Sequence, residues 1–169
     1  MDYAIKYLVM DVDGTLTDGK IYMGNNGEAM KAFNVKDGCG IHDILIPAGI
    51  IPVVITGRQS FILENRCREL DIVNLYQGIE DKEVVLDKIL SDNGDNYINV
   101  AYIGDDINDL SCMRKVKAQG GVLGCPADSV KEVIEVSNYV CKKNGGDGAV
   151  REFIEWLMKM NKGGYTGAE

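Results

Sequence analysis

The chain has 169 residues, a formal charge of −8 and five cysteines. That length suffices for one domain whose core needs no disulfide or metal staple, and the acidic balance disfavours nonspecific nucleic-acid binding, which depends on clustered Lys and Arg. No apolar run approaches the ~20 residues of a membrane span, and Met1-Asp-Tyr-Ala-Ile-Lys carries no basic-then-apolar signal, so the chain reads as cytoplasmic, with neither nucleic acid nor membrane among its partners.

The first element is Tyr7-Leu8-Val9-Met10, a short apolar run that predicts a buried strand, and Asp11-Val12-Asp13-Gly14-Thr15 follows it directly. Two carboxylates one residue apart at the carboxyl end of a parallel strand can hold a hard cation while one oxygen attacks a substrate. Residues 20–34 predict a β-hairpin, with Asn25-Asn26-Gly27 supplying the turn that needs positive φ. This hairpin leaves the parallel pattern just after the Asp pair, so it can overhang the catalytic end of the sheet. Further strands are expected to begin near Pro52, Ile72, Val100, Gln119 and Asn138, with helices near residues 39–47, 59–70, 81–92, 107–116 and 128–136. A last helix, Gly148 to Met160, carries Val150, Phe153, Ile154 and Leu157 at helical spacing. The alternation predicts an α/β fold: a Rossmann-like, mostly parallel sheet with helices on both faces, in a single domain over residues 1–160. Residues 161–169, rich in Gly, read as a flexible tail.

Polar residues recur where later apolar runs end. Thr56 follows Ile51 to Ile55, Lys82 opens a helix after Tyr76-Gln77-Gly78, and Gly104-Asp105-Asp106-Ile107-Asn108-Asp109 follows Val100 to Ile103. Singly, each has a plain structural role: Asp105 as a helix cap, Lys82 as a solvated first-turn side chain, Thr56-Gly57 as a strand-to-helix turn. His42 reads as packed or half-exposed, Gly145 to Gly148 as a loop, and Trp156 and Met158 as packing or surface. Cys39, Cys67, Cys112, Cys125 and Cys141 form no Cys-x-x-Cys pair and read as reduced, partly buried thiols without a catalytic role.

Taken together and in this order, Asp-x-Asp-Gly-Thr, Thr56-Gly57, Lys82 and Gly-Asp-Asp-x-Asn-Asp resemble the haloacid dehalogenase superfamily of phosphatases. The resemblance implies that Asp11 is the nucleophile, and that Asp13 protonates the leaving alcohol and later deprotonates water. It implies Mg2+ held by Asp11, the Asp13 carbonyl and Asp105. The Thr56 hydroxyl, the Gly57 amide at a helix N-terminus and the Lys82 ammonium would hold the remaining phosphate oxygens. Asp106, Asn108 and Asp109 would stand behind them, orienting Asp105 or Lys82. Neither the stretch from Asp13 to Thr56 nor that from Thr56 to Lys82 can hold a large lid, so the chain reads as capless, with the hairpin and a neighbouring subunit closing the site.

A second layer of sequence is similar to the family of 3-deoxy-D-manno-octulosonate 8-phosphate phosphatases. It comprises Asp18-Gly-Lys-Ile21, Lys31-Ala-Phe-Asn-Val-Lys-Asp-Gly38, Ile55-Thr-Gly-Arg-Gln-Ser60, Asn65-Arg-Cys67, Leu75-Tyr-Gln-Gly78 and Asn144 to Glu152. That resemblance implies a homotetramer with a sugar-acid phosphate bound between subunits, and a place in lipopolysaccharide precursor synthesis. Arg58 stands where these enzymes carry Arg and where relatives acting on nine-carbon, sialic-type 9-phosphates tend to carry Glu. A guanidinium there can clamp a substrate carboxylate. Arg66 is a further substrate or interface candidate in the same scheme, its spacing fitting a solvated helix face equally well. Lys36 departs from the family's usual Arg, and the tail after Met160 is not the expected one. Two alternatives remain open at this point: a phosphatase for a nonulosonic acid 9-phosphate, and a noncatalytic tetramerisation module of the kind associated with cytidylyltransferases. The intact Asp11 and Asp13 argue against the module.

Overall fold

The computed structural model describes residues 5–162. Its strands are β1 (Tyr7–Met10), β2 (Tyr22–Gly24), β3 (Gly27–Met30), β4 (Ile51–Ile55), β5 (Asn74–Tyr76), β6 (Val100–Ile103), β7 (Val122–Cys125) and β8 (Tyr139–Val140). The helices are α1 (Val35–Cys39), which runs on as a π turn over Gly40–Leu45, then α2 (Phe61–Glu69), α3 (Lys82–Asn93), α4 (Ile107–Ala118), α5 (Lys131–Val136) and α6 (Ala149–Lys162). Six strands make one sheet in the order β5-β4-β1-β6-β7-β8, and β2 and β3 pair separately as the hairpin. Every pairing in the large sheet is parallel.

The central strands are apolar at every position because both faces of a parallel sheet are covered. One face packs Leu8, Met10, Val54 and Ile103 against Ile41, Leu45, Leu63, Phe153, Ile154 and Leu157. The other packs Val9, Val53, Ile55 and Tyr102 against Leu86, Leu90, Leu110, Met113 and Val133. The π turn, α2 and α6 thus cover one side, and α3, α4 and α5 the other, as the alternating sequence predicts. Register then places the chemistry. Met10 pairs with Val54 on β4 and with Ile103 on β6, so Asp11 and Gly104 leave the sheet at one level and Thr56 close above them.

Several boundaries shift for local reasons. The first helix starts at Val35 rather than residue 39, because the Asn34 side chain accepts the Lys36 amide at 2.8 Å and caps it. The strand expected from Gln119 begins at Val122, since Gln119 ends α4 and Gly121 bonds back to Val116. The helix expected from residue 128 begins at Lys131, after Val130 in extended conformation. In the hairpin the turn residues are Asn25 and Asn26, and the positive φ of 107° falls on Gly27. The helix α6 runs through Lys162, so the expected tail begins inside it and its remaining residues lie outside the described ones. Between Asp13 and Thr56 the chain holds only the hairpin, α1 and the π turn, and between Thr56 and Lys82 only α2 and β5, which leaves no large cap domain. No helix among the described residues is long and apolar enough to cross a membrane.

Candidate active site

The floor of the site is a cluster of carboxylates around one buried lysine. Asp11 leaves β1 at 4% exposure, and Lys82, also 4% exposed, is the first residue of α3, whose cap is Asp81. Its ammonium donates to Asp11 Oδ1 at 2.5 Å and to Asp109 Oδ1 at 2.8 Å. The solvated first-turn side chain that Lys82 alone would suggest is therefore absent: two anions hold it in the interior. Asp109, fully buried in the first turn of α4, also accepts the Tyr102 hydroxyl at 2.7 Å and, through Oδ2, the Asp105 amide at 3.3 Å. Asp105 takes the Thr15 hydroxyl at 2.8 Å. Two glycines make these approaches possible. A Cβ on Gly14, whose φ is +99°, would lie 2.0 Å from Asp105 Oδ2, and one on Gly104 would lie 2.6 Å from the Asp109 carboxylate.

One carboxyl oxygen from each of Asp11, Asp105 and Asp109 lies within 4.8 Å of the others. Burial, then the charge of Asp11, pushes Asp105 up to about 8. Burial and the charge of Asp109 push Asp11 up to about 6, against the pull of Lys82. Burial alone would lower Lys82, yet Asp11 and Asp109 hold it above its ordinary value. Three carboxylates with one lysine leave an excess of negative charge, which suits a hard divalent cation. Because Asp109 is taken up by Lys82, Tyr102 and the Asp105 amide, Asp11 and Asp105 are the side chains that can serve as ligands, with Asp109 bracing them.

The rim is built differently. Asp13 turns toward the hairpin, where Lys31 Nζ donates to its Oδ1 at 2.5 Å and pairs with Glu28 Oε1 at 2.9 Å. Glu28 also accepts the Ser60 hydroxyl, and Ser60 caps α2. Arg58 is half-exposed and lies 3.8 Å from Asp13 Oδ2 and 3.9 Å from Glu28 Oε1. Thr56, 2% exposed, donates its amide to Tyr76 at 2.9 Å and so extends the ladder past β4. Gly57 follows in the loop before the Ser60 cap. Its amide is thus a loop donor, not the helix N-terminus that the sequence suggests, because α2 starts only at Phe61.

Other expected residues fall elsewhere. Arg66 uses its guanidinium on Glu69, at 2.8 Å, and on the Phe33 ring, 5.9 Å from the centroid, and joins neither floor nor rim within the protomer. Asp106, expected to orient Asp105 or Lys82, instead caps α4 by accepting the Ile107 amide at 2.7 Å. Asn108 is exposed on the first turn of α4, and its side chain takes no hydrogen bond among the described residues. His42 is half-exposed against Asp43 and Asp71, and Trp156 stacks on Tyr139. All five cysteines are free, and burial pushes Cys67 to about 11 and Cys112 to about 12, which keeps both as thiols. Lys31, Glu28, Ser60 and Tyr102 were not foreseen. Lys31 and Ser60 stand in the segments similar to the octulosonate phosphatases, and Lys31 and Glu28 lie on the hairpin expected to overhang the site, but no role at the site follows from either signal.

Chemically, the arrangement offers a carboxylate nucleophile beside an ammonium, a second carboxyl group two residues away, and a seat for a divalent cation. The parallel sheet with its carboxylate site at the strand ends defines a hydrolase of the haloacid dehalogenase superfamily. The chain matches no family model. It is 45% identical to the 3-deoxy-D-manno-octulosonate 8-phosphate phosphatase KdsC of Salmonella typhi over 154 residues, 91% of this chain and 79% of that one. Identity to the protein of that name from Escherichia coli K12 is 44% over the same shares. Among solved structures, the cobalt-bound deoxy-D-mannose-octulosonate 8-phosphate phosphatase of Haemophilus influenzae superposes with a TM-score of 0.87 at 36% identity, covering 95% of this chain and 91% of that one. The Moraxella catarrhalis enzyme, in complex with magnesium, phosphate and KDO, gives a TM-score of 0.87 at 38% identity, covering 95% and 89%. The chain belongs to the 3-deoxy-D-manno-octulosonate 8-phosphate phosphatase family.

Proposed function

We propose that the protein is a Mg2+-dependent phosphatase that hydrolyses 3-deoxy-D-manno-octulosonate 8-phosphate through a phosphoaspartyl intermediate, in lipopolysaccharide precursor synthesis. The observation that carries it is the Lys82 bridge between Asp11 and Asp109 beside Asp105, at the carboxyl ends of β1 and β6. Kinship to phosphatases of that ester supplies the substrate. Asp11 attacks phosphorus, a P–O bond forms to its carboxylate, and the bond to the sugar oxygen breaks as Asp13 delivers a proton to that oxygen. Asp13 then takes a proton from water, which attacks the acyl phosphate, releases inorganic phosphate and restores Asp11. Lys82 has three N–H donors, two of them engaged by Asp11 and Asp109, so the third serves a phosphate oxygen alongside Thr56 and Gly57. Asp11, the Asp13 carbonyl and Asp105 would hold Mg2+, which when bound offsets the repulsion between carboxylate and phosphate.

Arg58 is the carboxylate clamp: half-exposed and only loosely paired, it keeps its planar fork available for the sugar acid. No cap domain covers the site, so a cytoplasmic homotetramer, with a neighbour's surface and the exposed hairpin residues Met23 and Met30, completes its wall. The test is phosphate release, with Mg2+ and with EDTA, from the eight-carbon ester beside N-acetylneuraminate 9-phosphate and hexose phosphates. Metal-dependent preference for the eight-carbon ester is expected. Preference for the nine-carbon ester would move the enzyme to a sialic-type substrate, and no release from any ester would favour a noncatalytic scaffold.

A further inference from the structure

The hairpin gives Asp13 a partner of its own. The Lys31 side chain is 3% exposed and lies between the carboxylates of Asp13 and Glu28. Glu28 is held from its far side by the Ser60 hydroxyl, and the same hydroxyl accepts the Leu63 amide at 3.4 Å as the cap of α2. A continuous line, Asp13–Lys31–Glu28–Ser60, therefore runs from the loop after β1, through the hairpin, to the helix behind Thr56. Each link is anchored at both ends.

Burying a lysine costs solvation and rotamer freedom, which is recovered only where its partners are fixed. Here both partners are carboxylates, and removing Lys31 would leave them facing each other. Lys31 takes Oδ1 of Asp13, so Oδ2, which faces Arg58, is the oxygen left to exchange a proton with substrate. We propose that Lys31, braced by Glu28, is a positioning residue that fixes the Asp13 carboxyl group so that Oδ2 meets the ester oxygen. The hairpin then contributes to the chemical step itself as well as walling the site. This inference rests on the phosphatase activity proposed above and deepens it.

The test compares kcat/KM for the alkyl ester 3-deoxy-D-manno-octulosonate 8-phosphate with that for p-nitrophenyl phosphate, whose phenolate departs without needing a proton. Lys31→Met is expected to lower the alkyl value about 100-fold, the cost of a displaced catalytic group, and the aryl value by less than about threefold. Glu28→Gln, which keeps Lys31 and loosens only its brace, is expected to show the same leaving-group dependence at about tenfold. In an Asp13→Asn background, Lys31→Met should add no further loss on the alkyl ester. Equal losses on both esters, or losses that multiply in the double variant, would overturn the positioning role and leave Lys31 a structural tie. A wild-type protein that hydrolyses neither ester would overturn the phosphatase activity and this inference together, whereas an active wild type with parallel losses overturns this inference alone.

Discussion

The floor of the site and its rim differ in charge balance. On the floor, Asp11, Asp105 and Asp109 share one lysine, and burial and mutual repulsion raise Asp11 and Asp105. On the rim, Asp13 and Glu28 are matched by Lys31 and Arg58. Burial there works to raise Glu28, yet the Ser60 hydroxyl and Lys31 hold it below its ordinary value. With one lysine for three carboxylates the floor is short of positive charge, and the rim is not. A divalent ion therefore belongs to the floor, while the rim, complete in its own charges, is suited to handling a proton and a substrate carboxylate.

Breaking the floor is expected to have the largest effect. Asp11→Asn keeps the shape and removes the nucleophilic charge, so turnover should fall on the order of 10^4-fold or more with an unchanged circular dichroism spectrum; a fully active variant would end the phosphoaspartyl mechanism. Lys82→Met should instead show up in stability, because it leaves Asp11 and Asp109 buried without their cation, a loss of about 3 kcal/mol or more in denaturant unfolding. Mg2+ should recover part of that loss, and a variant as stable as wild type would mean the bridge is dispensable.

The same imbalance predicts a pH dependence. Asp105 at about 8 and Asp11 at about 6 both lie above their ordinary carboxylate value, so the folded protein keeps protons that the unfolded chain releases. Their contribution to stability is fully present below about pH 4 and is lost as the pH rises through about 6 to 8. Mg2+ favours the ionised carboxylates, so the stabilisation it gives should grow across that window. Thermal melts with EDTA and with Mg2+ at pH 5 and pH 8 test this; an equal Mg2+ shift at both would mean the floor carboxylates are not raised.

Floor and rim also differ in how far the sequence reveals them. Asp11 and Thr56 follow directly on an apolar run, Asp105 follows one after a single glycine, Lys82 opens the helix after one, and parallel register carries all four to one end of the sheet. Short spacing along the chain is enough to find them. Lys31 and Glu28 lie on a hairpin outside that register, and nothing local says which way an exposed two-stranded element bends. Their meeting with Asp13 and Ser60 is a tertiary outcome. The Gly57 misreading has a similar origin, since a Thr-Gly after a strand does not say how many loop residues precede the next helix. Arg66 has suitable chemistry, but its helical position turns it onto Phe33 and Glu69.

Arg58→Ala sharpens the comparison from the rim side. A charge-assisted pair with a carboxylate contributes about 1.5–3 kcal/mol, so KM for the sugar-acid ester should rise about tenfold or more while kcat stays close to wild type. Hexose phosphates, which lack the carboxylate, should be nearly indifferent. Unchanged kinetics with the sugar acid would remove the clamp.

The smallest effect is expected at Asp106, and it separates two neighbours that look alike in sequence. Asp105 points to the floor and sits against Gly14, where no Cβ fits, whereas Asp106 turns outward and accepts the first amide of α4. Asp106→Ala should therefore cost about 1 kcal/mol of stability, the ordinary cost of a lost helix cap, and leave kcat and the Mg2+ requirement within about twofold of wild type. Asp105→Ala, by contrast, should raise the Mg2+ concentration needed for half-maximal activity and for half-maximal thermal shift together. If Asp106→Ala also moved the Mg2+ midpoint, the floor would extend one residue further than its hydrogen bonds indicate, and the outward turn of that side chain would not describe the metal-bound enzyme.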